Sequence, residues 1–177
     1  MPNIVYIATS LDGYITDKDG GLDWLGSVPN PNNDDLGWAD FIAQIDALVM
    51  GRKTFDAVCS FDQEWPYPVP VFVLSNSLSS IPDGYADKAE LVSGSLKDVV
   101  AELNLKGFNR LYIDGGQTIQ SFLSEDLIDE IIITRIPILL GGGTPLFGTL
   151  PNLLDFDLVN NQILLGAMEQ GHYCRKR

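Results

Sequence analysis

Short β-rich apolar runs alternate with stretches of helical periodicity along most of the chain, and this alternation narrows the possible folds more than any other feature. Asn3 to Thr9 is the first run, followed by the turn signal Asp12-Gly13. Ala47-Leu48-Val49-Met50, Val69 to Leu74, Arg110 to Ile113 and Glu130 to Pro137 come next, with Glu90-Leu91-Val92 as a shorter one. Helix signatures lie between them. Asp34 or Asp35 is placed to cap a helix reaching Gln44, with Leu36, Phe41, Ile42 and Ile45 on its apolar stripe. A second helix opens at Gly51-Arg52-Lys53-Thr54, Ser95 caps a third through Leu103, and a fourth runs from Gly115-Gly116 to about Leu123. Roughly the last twenty residues alternate as a hairpin, with Gly166 or Gly171 near a turn or bulge. Strands joined through helices run parallel, so the chain reads as α/β with a mainly parallel sheet and one antiparallel hairpin at its edge.

A chain of 177 residues fits one domain, expected here over 1–177. Its 11 Lys and Arg stand against 24 Asp and Glu, a net charge of −13 that opposes duplex nucleic acid and anionic membranes as partners. Arg175, Lys176 and Arg177 use three of those cations at the C-terminus, so an interior cation facing an anion stands out. Cys59 and Cys174 are the only cysteines and His172 the only histidine, which excludes a disulfide framework, a four-ligand zinc finger and paired-histidine motifs. No metal is expected. The start of the chain lacks the basic and apolar regions of a secretory signal, and Arg135 and Pro137 interrupt the most apolar stretch, Ile131 to Leu140. These features lead us to expect a cytoplasmic protein.

Two strand ends carry the chemistry. At Met50-Gly51-Arg52-Lys53-Thr54 and at Ile113-Asp114-Gly115-Gly116-Gln117-Thr118 a strand meets glycine and then a helix start. A helix N-terminus offers unpaired N–H groups and partial positive charge, and glycine lets a phosphate approach the backbone. Arg52 and Lys53 add two scarce cations and Thr54 a hydroxyl. Neither segment is a G-x-G-x-x-G or a P-loop fingerprint. The turn-rich segment from Asp17 to Asp35 is long for a compact domain, which marks it as functional or mobile.

Ser10-Leu11-Asp12-Gly13-Tyr14-Ile15, Met50-Gly51-Arg52-Lys53-Thr54-Phe55, Asp114-Gly115-Gly116 and Pro137-Ile138-Leu139-Leu140-Gly141-Gly142-Gly143 occur in this order. Together they resemble the C-terminal reductase domain of the bifunctional riboflavin-biosynthesis protein RibD, which shares its fold with dihydrofolate reductase. The resemblance spans nearly the whole chain. It implies an eight-stranded, mostly parallel sheet flanked by helices, with NADPH across the C-terminal ends of the strands. Carried over by position, Gly51, Arg52, Lys53 and Thr54 face the cofactor phosphates, and Ser75 and Asn76 help hold the 2′-phosphate. Gly115, Gly116, Gln117 and Thr118 wrap the pyrophosphate, and Ala8 and Ile15 line the nicotinamide. A homodimer, packed through the sheet edge or the C-terminal hairpin, is also implied.

The substrate is less sharply drawn. By resemblance to the folate enzymes, Asp35 falls where a carboxylate grips the pterin and Thr134 where a threonine supports that carboxylate. Asp35 is equally a helix cap. The folate enzymes also hold their substrate's glutamate with an arginine, but Trp65-Pro66-Tyr67-Pro68-Val69-Pro70 has no cation. By resemblance to the riboflavin-type reductases, Asp12 and Asp114 approach a ribosyl-aminopyrimidine, although Asp12 also suits a turn and Asp114 a strand end. Trp24 lies on the long loop, either over the substrate or anchoring the loop to the core. The expected activity is NADPH-dependent reduction of an aminopyrimidine- or pterin-like molecule. Dihydrofolate reduction is the first alternative, and a nucleotide-binding protein that has lost catalysis is the second.

Overall fold

The structure, a computed structural model, describes residues 1–177. Strand β1 (Asn3–Ser10) leads through the short β2 (Tyr14–Thr16) and a 3-10 turn at Asp23–Gly26 to helix α1 (Trp38–Ile42). Then come β3 (Ala47–Gly51), α2 (Arg52–Ser60), β4 (Val71–Leu74), β5 (Ala89–Val92), α3 (Leu96–Leu105), β6 (Leu111–Asp114) and α4 (Gly116–Ser124). The chain ends with β7 (Glu130–Ile136), a two-residue β8 (Thr144–Pro145) paired with β2, and the strands β9 (Phe156–Leu164) and β10 (Met168–Arg175). No helix is long and apolar enough to cross a membrane.

Eight strands form one sheet in the order β5-β4-β3-β6-β1-β7-β10-β9. The first six run parallel, and β10 is antiparallel to both β7 and β9. Alternate residues of each strand serve opposite faces, because strand side chains repeat with period two. Val5, Val49, Leu111 and Ile113 pack against α3 and α4, whereas Ile4, Leu48, Met50 and Tyr112 pack against Phe41, Ile42 and Phe55. Both faces of the central strands are therefore buried, which is why they read as unbroken apolar runs.

One local expectation changes and another holds. Helix α1 covers only Trp38–Ile42 instead of reaching back to Asp35. Leu36 (φ 58°) and Gly37 (φ 86°) are both left-handed and hold the chain out of the helix until Trp38. In the C-terminal hairpin, Leu165 and Gly166 occupy the two turn positions with positive φ, and Ala167 N donates to Leu164 O at 3.0 Å. The ladder irregularity lies at His172/Tyr173, next to Gly171, so Gly166 is in the turn and Gly171 beside the irregularity as expected.

Candidate active site

The strand order explains how two distant glycine segments meet. β3 and β6 are neighbours, with Met50 paired to Asp114, so their C-terminal ends deliver α2 and α4 side by side. A side chain at Gly51 would reach within 2.5 Å of Thr118 Oγ1, and one at Gly115 would collide with Thr54 Oγ1. Each junction's threonine thus rests on the other junction's glycine. Gly115 also has φ +98°, a conformation that favours glycine. A side chain at Gly116 would meet Ile15 Cδ1 at 2.6 Å.

The two helix starts open into one cleft of about 1250 Å³ at the C-terminal ends of the parallel strands. Its wall holds Ala8, Ile15, Gly51, Arg52, Lys53, Thr54, Ser75, Asn76, Gly115, Gly116, Gln117 and Thr118. The helix preceded by Gly51 and the helix preceded by Gly115 both lack a side-chain cap, and neither has an acid in its first turn. Their leading N–H groups therefore face the cleft without a side-chain acceptor, beside Arg52 and Lys53. Arg52 Nε lies 3.5 Å from Asp56 on the exposed side of α2, a contact weak enough to exchange for a ligand phosphate. Asn76 Oδ1 accepts from Gly94 N at 3.0 Å, which orients its amide. Ser75 Oγ accepts from Ser77 N and Leu78 N and so shapes the turn that carries Asn76.

Asp114 also lines the cleft, between the β3 junction and β1. Burial pushes its carboxyl up to about 6, against the opposing effect of Gly115 N, which donates to Asp114 Oδ1 at 2.9 Å. Tyr67 joins the same wall, and its hydroxyl is shifted upward, first by burial and then by the charge of Asp114. Sequence reading missed Tyr67, noting its segment only for the absence of a cation. It also missed Leu22 and Leu25, which line the cleft from the 3-10 turn. Their spacing of three around Trp24 was the available signal.

The remaining substrate candidates sit elsewhere. Asp35 is exposed, with Oδ1 accepting from Gly37 N at 3.0 Å and Oδ2 from Ala39 N at 2.9 Å, and these bonds hold its carboxyl below the ordinary range. Thr134 is buried and accepts from Gln170 Nε2 at 2.9 Å, so the expected Asp35–Thr134 pair is not formed. Tyr6 intervenes, its hydroxyl donating to Leu36 O at 3.0 Å. Asp12 fastens the loop after β7: Oδ1 accepts from Ser10 Oγ (2.6 Å) and Leu140 N (3.1 Å), Oδ2 from Gly141 N (2.8 Å). Trp24 is buried against Val28, Ile136 and Met168, and its Nε1 donates to Gly21 O at 3.2 Å, which makes it the anchor of its loop.

A mostly parallel eight-stranded sheet with an antiparallel C-terminal edge, opening a cleft at its strand ends, is the dihydrofolate reductase-like architecture. The chain belongs to the RibD C-terminal domain family, whose model matches residues 4–164. It is similar to the uncharacterized protein YwjB of Bacillus subtilis (strain 168), at 34% identity over 175 residues covering 97% of each chain. A crystal structure from Shewanella sp. PV-4, of a protein provisionally assigned to riboflavin biosynthesis, is 61% identical with a TM-score of 0.98 over 100% of both chains. Dihydrofolate reductase of Enterococcus faecalis, complexed with NADP(H), shares the fold at 20% identity with a TM-score of 0.67, covering 99% of this chain and 97% of that one. The paired glycine cradles, two uncapped helix starts and adjacent cations fit an anionic ligand such as a phosphate at the junction.

Proposed function

We propose that this protein is an NADPH-dependent reductase of an aminopyrimidine-like small molecule of the riboflavin-pathway type. The observation that carries the reading is the convergence of two uncapped, acid-free helix starts on one cleft whose cations are Arg52 and Lys53. In a chain of net charge −13, that wall is where an anionic cofactor gains rather than loses electrostatic energy. The bound nicotinamide supplies the hydride. The glycine junctions with Arg52, Lys53, Thr54 and Thr118 would hold the cofactor phosphates, Ser75 and Asn76 would help hold the 2′-phosphate, and Ala8 and Ile15 would line the ring. Leu22 and Leu25 shield the reacting face from water.

Asp114 is the acid on this wall placed to hold a proton. A carboxyl pushed up to about 6 retains it at mildly acidic pH and is placed on the cleft wall to donate a hydrogen bond to a ring nitrogen or amide of the substrate. Dihydrofolate reduction is the weaker alternative, because Asp35 is occupied by the start of α1 and the segment Trp65 to Pro70 offers no cation to a glutamate tail. We also place a second copy of the chain against the outer strand β9, where Leu158 and Ile163 are 57% and 64% exposed. Light scattering of the purified protein checks that homodimer.

The test of function is a fluorescence titration with NADPH and NADH on the wild type and on Arg52→Ala, followed by turnover with a ribosylaminopyrimidine. NADPH is expected to bind ahead of NADH, and Arg52→Ala to weaken NADPH by about tenfold. NADPH binding without turnover on any pterin, pyrimidine or carbonyl compound would support the non-catalytic alternative. Failure of both nucleotides to bind at roughly millimolar concentration would reduce the glycine junctions to turns.

A further inference from the structure

The sheet carries a second group of reactive side chains at the end remote from the cleft. Glu130 opens β7, and Cys174 stands directly opposite it on β10 in the antiparallel ladder. His172 lies two residues from Cys174 on the same strand, so its ring projects from the same face. One ligand atom from each of the three lies within 4.8 Å of the other two, and all three residues are partly exposed. His172 Nε2 is 2.9 Å from Glu130 Oε2. The sequence hid this group because 42 positions separate Glu130 from His172, and only strand pairing brings them together.

We propose that Glu130, His172 and Cys174 bind a zinc ion through carboxylate, imidazole and thiolate, with water as the fourth ligand. The donor set is the first argument. A thiolate and an imidazole select zinc over magnesium or calcium, and three protein ligands plus water is a recurrent zinc arrangement. Geometry is the second. Bonds of about 2.0–2.3 Å in a tetrahedron place ligand atoms about 3.3–3.8 Å apart. The Glu130–His172 contact must therefore open slightly, while the thiol already lies within 4.8 Å of both partners.

The surroundings hold the ligands in place. Arg110 Nη2 lies 3.9 Å from Glu130 Oε1, on the oxygen that His172 does not use, and Arg110 Nε donates to Gln44 O at 3.0 Å. Arg175, next to Cys174, is held by Asp126 Oδ1 at 2.7 Å. Asp157 pairs with Cys174 across the β9 ladder, but Lys176 Nζ engages it at 3.0 Å, which leaves the fourth position to water. Leu158 and Ile163 pair with Tyr173 and Glu169 and so face the other side of the sheet, away from the three ligands. On binding, the thiol releases its proton to solvent and the metal clamps β10 to β7. The clamp is independent of the reductase reading, since it lies at the opposite end of the strands.

The experiment uses the full chain without a polyhistidine tag, under reducing conditions, titrated with Zn²⁺ and separately with Co²⁺ as a spectroscopic substitute. One zinc per chain should be retained through dialysis and should raise the melting temperature, with the rise reversed by chelator. Co²⁺ should give the thiolate charge-transfer band and the intense visible bands of a tetrahedral site. Cys174→Ser should abolish the charge-transfer band, Cys59→Ser should leave it unchanged, and His172→Gln should weaken Zn²⁺ by at least about tenfold. A Co²⁺ spectrum without the charge-transfer band, a band that survives Cys174→Ser, or zinc affinity unaffected by His172→Gln would each overturn the site.

Discussion

The four helices of this protein begin in two different ways. At α1 and α3 the chain caps itself: Asp35 accepts from Gly37 N and Ala39 N, Ser95 Oγ accepts from Asp98 N, and each first turn carries an acid, Asp40 or Asp98. A glycine precedes α2 and α4 as Gly37 precedes α1, but at α2 and α4 no side chain accepts from the first turn and no acid is present there. Capping contributes about 1 kcal/mol to a helix start, so two helices forgo a gain that the other two take. The uncapped pair open into the cleft on the same wall as Arg52 and Lys53. What the protein leaves unsatisfied at α2 and α4 is available to an anionic ligand, and what it satisfies at α1 and α3 serves the fold alone.

The strongest way to break this contrast is Gly115→Ala. It forces a side chain into φ +98° and against Thr54 Oγ1, which should cost about 2–4 kcal/mol in denaturant unfolding and separate the two helix starts. NADPH binding should be lost even in the fraction that remains folded. Retained affinity would show that the junctions do not need their close contact. Asp114→Asn comes next, because Asp114 is the acid immediately before the uncapped α4. Its folded pKa, about 6, lies above the unfolded value, so ionising it costs stability that is lost as pH rises from about 4 to about 6. The asparagine variant should match the wild type near pH 4 and exceed it by about 1–3 kcal/mol at pH 7.5, while turnover falls. Thermal melts across that range, paired with initial rates, separate the two effects.

How much of this was legible in the sequence depends on where the signal is stored. The glycine junctions were readable because strand, glycine and helix start are contiguous, as in Met50-Gly51-Arg52 and Asp114-Gly115-Gly116. Their mutual packing was not, since it follows from β6 lying between β3 and β1, an order that local pattern does not encode. The substrate side was harder because its residues have competing local uses. Asp12 and Asp35 have the residue type of a ligand-binding carboxylate, yet backbone N–H groups close by in space consume their oxygens. Tyr67 sat in a proline-rich segment with no periodicity to orient it, and Glu130, His172 and Cys174 meet only through the ladder between β7 and β10.

Asp35→Ala and Ser95→Ala carry the smallest effects and sharpen the contrast from its other side. Each should cost about 1 kcal/mol, Asp35 slightly more because it serves two N–H groups. Neither should change NADPH affinity by more than about twofold. Ser95 is the more demanding case, since it lies on the cleft wall beside Asn76 and Gly94. Its hydroxyl donates to Asp98 Oδ2 at 2.6 Å while accepting from Asp98 N, and the Asp98 carboxylate repels a phosphate from that helix start. Replacing Asp98 with asparagine in the Ser95→Ala background removes both the cap and the charge, leaving α3 with the same open start as α2 and α4. If the cap and the acid are what exclude anions there, inorganic phosphate should protect the Leu96 to Asp98 amides from hydrogen exchange in the double variant and not in the wild type.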